Sequence, residues 1–260
     1  MALTYSSYLK LDRLLALQEP LSDGPEHDET LFIVIHQVYE LWFKQLLHEL
    51  DFLCVTLARG DVPRAQHTLK RVLTILKVLV HQIDVLETMT PLEFLSFRAR
   101  LESGSGFQSF QFRELEFLLG WKRPEALDRY PPGSEHHTRL DRRLAEPTLW
   151  DAFLRYLVVR GHAVPEEALA RDVTRPVESM PALHPLLLAL YRRDPEARDV
   201  CERLVDLDEG IMEWRYRHVK MVERTIGGRR GTGGSPGAAY LKTTLNQPLF
   251  PDLWEIRTEL

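Results

Sequence analysis

From Ala65 to Leu86 the apolar residues fall at Ala65, Leu69, Val72, Leu73, Leu76, Leu79, Val80, Ile83 and Leu86. Steps of three and four residues set them on one side of a helix and are incompatible with the two-residue alternation of a half-buried strand. The same spacing returns over Pro195–Ile226, where Leu204, Leu207, Ile211, Trp214, His218 and Val222 share one side. Between Glu29 and Leu57 apolar residues occupy more than one side, so a central, largely buried helix is expected there. Thr90 and Pro91 supply an N-cap followed by a proline at the first helical position, opening a helix that runs to about Leu101. Further helices are expected over Phe107–Leu119, Pro147–Arg160, Pro165–Asp172 and Leu183–Tyr191. No stretch alternates convincingly, so the expected fold is all-α, a multi-helix bundle forming one domain over residues 1–260. The Arg-, Pro- and His-rich stretch Lys122–Glu146 reads as an exposed connection within it.

Composition narrows the function. With 260 residues and 44% apolar side chains the chain can bury a substantial core. Its net charge is −5, and its basic residues cluster no more densely than pairs such as Arg142-Arg143 and Arg192-Arg193. That argues against nucleic acid, which needs a concentrated basic surface. Two cysteines, Cys54 and Cys201, are too few for a disulfide framework and fit a reducing compartment. The first ten residues show no secretory leader, and the longest uncharged apolar stretch, about Pro181 to Tyr191, is far short of a membrane span. The expectation is a cytoplasmic protein.

Four stretches carry chemistry. In Leu31–Lys44 a histidine sits among large apolar residues, and a buried imidazole costs free energy unless its nitrogens find partners. Phe32 and His36 are four apart and share a helical face, so they either line a pocket for a flat apolar molecule or belong to the core. Phe94 and Arg98 share a face in the same way. Arg98 is either a surface residue or a planar fork for a carboxylate. His218 lies on the inner side of its helix, ordinarily the place of a satisfied core histidine. Haem needs just one such protein ligand in an apolar slot, whereas zinc needs three or four. The glycine-rich run Gly227–Gly237 lacks the lysine of a phosphate loop and the third glycine of a dinucleotide fingerprint. It reads as a segment that closes over a pocket, with Thr232 its one useful hydroxyl, or as a flexible connector. No GxSxG elbow is present, which disfavours covalent hydrolase chemistry.

Several long motifs, in order, resemble the haem-dependent tryptophan 2,3-dioxygenases nearly end to end. They are Thr4-Tyr-Ser-Ser-Tyr-Leu-Lys-Leu-Asp12, Phe32 to Lys44, Leu86 to Arg98, Ser105 to Arg113, Trp214-Arg-Tyr-Arg-His218 and Arg230-Gly-Thr-Gly-Gly-Ser235. The resemblance implies one haem b per subunit with His218 as axial iron ligand and Ser105 and Gly106 near the haem edge. It makes His36 the catalytic residue that accepts a hydrogen bond from the indole N–H. The substrate pocket it implies comprises Phe32, Ile33, Val34, Ile35, His36, Phe94, Arg98 and Thr232, with Arg98 clamping the carboxylate and Thr232 the amino-acid end. Phe94 stands where some members have tyrosine, so a hydroxyl contact there is absent. Tyr5 and Tyr8 match tyrosines that reach a neighbouring subunit's pocket in a homotetramer built as a dimer of dimers. The implied reaction cleaves the indole C2–C3 bond of L-tryptophan with O₂ to give N-formyl-L-kynurenine, the first step of the kynurenine pathway. A relative inserting one oxygen into a modified indole, a haem-binding sensor and a cofactor-free scaffold are the alternatives.

Overall fold

The computed structural model describes residues 2–24, 26–232 and 237–260. Two short helices, α1 (Tyr5–Leu9) and α2 (Leu11–Leu14), form an N-terminal arm. The body follows as α3 (His27–Ala58), α4 (Val62–Leu86), α5 (Pro91–Arg98), α6 (Phe110–Leu118), α7 (Glu135–Ala145), α8 (Leu149–Val159), α9 (Glu166–Leu169), α10 (His184–Arg193) and α11 (Pro195–Ile226). Two small helices, α12 (Ala238–Lys242) and α13 (Pro251–Glu255), close the chain. Among the described residues there is no strand, and no helix is long and apolar enough to cross a membrane.

The helix ends obey local chemistry. Thr90 accepts from the backbone N–H of Glu93, and Glu93 returns a bond to the N–H of Thr90, a reciprocal cap for α5. That helix stops at Arg98 and tightens into a 3₁₀ turn over Ala99–Leu101. The helix expected from Phe107 starts at Phe110 instead, because the Ser109 hydroxyl caps it by accepting from Phe112 N. Asp194 caps α11, and Pro195 fills its first position.

Three long helices make the frame, with α4 packed against both α3 and α11. Leu46, Leu50, Leu53 and Leu57 of α3 meet Leu69, Val72, Leu76 and Leu79 of α4 and Val200, Leu204 and Leu207 of α11 in one core. Gly210 permits a close approach of α11 to α4, since a Cβ there would lie 3.2 Å from a Leu76 methyl. Tyr39 reaches across to donate to the Leu79 carbonyl, fixing the register of α3 on α4.

Two expectations need correction. The stretch Lys122–Glu146 is exposed over about half its residues but is more than a connection: it holds α7 and, with Phe117 of α6, a second small core of Ala126, Leu127, Tyr130 and Leu140. Lys122, fully buried, donates to the carbonyls of Arg143, Leu144 and Glu146 and so caps the C-terminal end of α7. The second concerns α3, which is not covered all round: Val34, Leu41, Phe52 and Val55 remain exposed.

Candidate active site

One cavity of about 240 Å³ opens where the N-terminal half of α3 and the C-terminal half of α11 draw apart, walled further by α5, the Leu101–Ser109 turn and α6. Phe32, His36, Tyr39, Glu40 and Phe43 enter it from α3, and Trp214, Arg215, His218, Val219 and Val222 from α11. The three- and four-residue spacing that makes a core stripe elsewhere makes a cavity lining here.

His36 Nδ1 lies 2.7 Å from the Phe32 carbonyl oxygen. A carbonyl only accepts, so Nδ1 carries the proton and Nε2 presents a lone pair. Burial presses this imidazole below its ordinary range, against opposing pulls from the Phe32 carbonyl and the Glu40 carboxylate. The ring is therefore neutral near pH 7 and sits 4.1 Å, centroid to centroid, from Phe32. His36 is an acceptor in waiting.

His218 is stacked parallel on Trp214, with centroids 5.1 Å apart and planes 4° from one another. Among the described residues its ring makes no hydrogen bond. Burial first, then the cationic tendencies of His36 and Arg113, push it down to about 4. A neutral imidazole with unclaimed nitrogens in an apolar cavity has the chemistry of an axial iron ligand. No group of three or more His, Cys, Asp or Glu that could hold a metal ion occurs among the described residues.

A second fit lies at the cavity floor. Glu116 is met by Arg113 at 2.5 Å, Arg123 at 2.6 Å and Arg215 at 3.5 Å. All four are buried or nearly so, and three guanidinium groups around one carboxylate leave about two positive charges without local anions. Burial depresses Arg113 and Arg215 despite Glu116. Trp214 Nε1 is also buried without a partner. A flat apolar group with two carboxylates, which haem is, satisfies walls and floor together.

Arg98 stands at the opposite end. Its Nη2 donates to the Arg230 carbonyl at 2.6 Å, while its Nε is buried and unpaired. Thr232 donates to the Gly104 carbonyl at 2.5 Å, joining the glycine segment to the Leu101–Ser109 turn. Residues 233–236 of that segment, on which the expected closure over the pocket falls, lie outside the described residues. Gly237 resumes at φ +65°, where a Cβ would fall 2.6 Å from the Arg229 carbonyl oxygen, so only glycine fits. Ser105, whose hydroxyl accepts from Phe107 N, and Gly106 line the cavity, as does Phe94, packed on Phe32. Nearby Glu102 holds φ +46°, a strained angle for a residue with a Cβ.

Some expected members are not brought together. Ile33, Val34 and Ile35 do not line the cavity: Ile33 and Val34 are turned about 100° and 200° around the helix from Phe32, and Ile35, at the edge of that face, packs into the core instead. Ile35 lies in the core and Val34 faces outward. Tyr5 and Tyr8 are exposed on the arm, away from their own chain's cavity. Sequence reasoning left Tyr39, Glu40, Arg113, Glu116 and Arg215 without a role. The available signal was charge inside apolar runs: Glu40 in Tyr39–Phe43 and Arg113 beside Phe112.

A family model described as tryptophan 2,3-dioxygenase matches residues 1–131 and 166–260. A tryptophan 2,3-dioxygenase of Herpetosiphon aurantiacus is 61% identical over 259 residues, covering 100% of this chain and 99% of the relative. One from Anaeromyxobacter sp. strain K is 59% identical over 100% of this chain and 97% of its own length. One from Bacillus thuringiensis is 42% identical over 99% of this chain and 93% of the relative.

Proposed function

This chain belongs to the tryptophan 2,3-dioxygenase family, and from that premise we propose how its own residues carry the family's reaction, oxidative opening of the indole C2–C3 bond of L-tryptophan by O₂ to give N-formyl-L-kynurenine. The observation that carries the assignment is the facing pair: His36 and His218, both neutral, enter one apolar cavity from α3 and α11 with Arg98 at its rim.

His218 is the residue that would hold haem b, one per subunit, with Arg113 and Arg215 neutralising its carboxylates and Ser105 and Gly106 at its edge. Bound haem supplies oxygen activation and insertion. The chain supplies orientation. Arg98 takes the substrate carboxylate in charge-assisted bonds through its free Nε and its Nη2, which must leave the Arg230 carbonyl to do so. Thr232 holds the amino-acid end. Phe32 packs on the indole, and Phe94 adds apolar wall without a hydroxyl. His36 Nε2 accepts the indole N–H. Fixing both ends of the substrate replaces a search over orientations with one near-attack pose. Because indole N–H is far too weakly acidic for ready removal by a neutral imidazole, His36 orients the substrate and is not an obligatory base. A His36→Ala protein should keep measurable turnover; none at all, with haem retained, contradicts this role.

The exposed apolar arm (Leu3, Tyr5, Tyr8, Leu15 and Leu17) and the uncovered stripe on α3 support a homotetramer, a dimer of dimers in which Tyr5 and Tyr8 reach a neighbour's pocket. Sedimentation should return four chains, and Leu41→Glu should lower that number. A cytoplasmic location is the reading that the two unpaired cysteines support. The direct test is turnover of L-tryptophan by haem-loaded protein under ¹⁸O₂. Product carrying two labelled atoms supports the reading, one labelled atom favours the single-insertion alternative, and no product favours the sensor.

A further inference from the structure

Glu40 lies one helical turn beyond His36 on the same face of α3, and both line the cavity. No cation pairs with it among the described ion pairs. The side-chain amide of Gln111 on α6 holds it by donating to both its backbone carbonyl, at 2.9 Å, and its Oε2, at 2.8 Å. A half-buried carboxylate with an amide clamp and no counter-ion is expensive to keep beside an apolar cavity. Its field falls on His36. The other charged or titratable groups facing that space are Tyr39 on α3, Arg98 on α5, Arg113 and Glu116 on α6, Arg215 and His218 on α11, and Tyr240 on α12.

We propose that Glu40 is a positioning residue for His36: clamped by Gln111, its carboxylate sets the field that makes the free imidazole nitrogen a strong acceptor for the substrate's indole N–H. The proposal rests on the reading of His36 given above and deepens it. Burial withdraws proton affinity from the imidazole, and Glu40, four residues on along the same helix, is the charge that opposes that loss. This gives the two hydrogen bonds from Gln111 their purpose. A carboxylate free to swing would seek Arg113 or solvent, and its effect on the ring would vanish with distance.

The test uses haem-loaded protein and Glu40→Gln, which keeps an oxygen for Gln111 but removes the charge. Protonated His36 has no lone pair at Nε2, so the acid limb of kcat/KM reports the neutral ring. Removing a nearby negative charge lowers the ring's proton affinity, so that limb should move to lower pH, by about half a unit or more. The high-pH plateau should fall several-fold through KM. In a His36→Ala background the same substitution should shift neither quantity. Gln111→Leu, which keeps the charge and loses the clamp, should also raise KM and serves if Glu40→Gln does not load haem. An acid limb superimposed on the parent's, or equal effects with and without His36, overturns the proposal. Failure of the parent protein to form product would instead overturn the function on which it rests, so the two failures are separable.

Discussion

The two ends of α11 share one helix and one periodicity yet do opposite work. Toward its start, Ala197, Val200, Leu204 and Leu207 are buried in the core shared with α4 and α10, and the buried Asp208 carboxylate beside them is held by the backbone N–H groups of Leu249 and Phe250 and by Trp254 Nε1. Toward its end, Trp214, Arg215 and His218 face the cavity with an unpartnered indole nitrogen, a crowded guanidinium and an imidazole without hydrogen bonds. The halves of α3 repeat the contrast in reverse order, core from Leu46 onward and cavity before it. Periodicity thus says which side of a helix turns inward. Whether inward means another helix or a ligand depends on the residue types set on that side.

Substitutions at the two ends should therefore separate stability from chemistry. The largest effect on stability belongs to the core half: Leu204→Ala, at a fully buried position, should cost about 2–5 kcal/mol in denaturant unfolding while leaving KM for tryptophan unchanged. A raised KM in the folded variant would break the comparison. Next is pH. His218 ordinarily titrates at 6.5 and is pushed down to about 4 in the fold, so the unfolded chain binds the proton first. Stability of the haem-free protein should be full above pH 6.5 and fall as pH drops toward 4, by up to about 3 kcal/mol from this group. His218→Phe should flatten that slope. At the rim, Arg98→Leu should lower kcat/KM for L-tryptophan by roughly 10- to 150-fold, the worth of about 1.5–3 kcal/mol in charged hydrogen bonds, with the unfolding midpoint nearly unmoved. The smallest effect is at the strained turn: Glu102→Gly should change stability by less than about 1 kcal/mol, as relief of φ +46° opposes added freedom in the unfolded chain.

What could be read beforehand followed the punctuation. α11 runs from Pro195 to Ile226 because proline opens it and Gly227 ends it, both visible in the chain. Phe32, His36, Phe94, Arg98 and His218 were legible because each pair or motif sits on one helical face. Ile33, Val34 and Ile35 were not, since a contiguous motif hides the rotation that turns them from the cavity. The buried charge at the floor was invisible for another reason: Arg113, Glu116, Arg123 and Arg215 come from α6, the loop after it and α11, and only packing brings them together. The helix α7 escaped because its Arg- and His-rich composition conceals one inward side, Leu140 and Arg143, anchored by Lys122.

The central claim is that His218 is the sole protein ligand of the iron. The decisive measurement is the absorption and resonance Raman spectrum of haem-loaded ferrous protein, parent against His218→Gly with and without added imidazole. A histidine–iron stretch present in the parent, lost in the variant and restored by imidazole is the predicted result. The same stretch surviving in His218→Gly would contradict it.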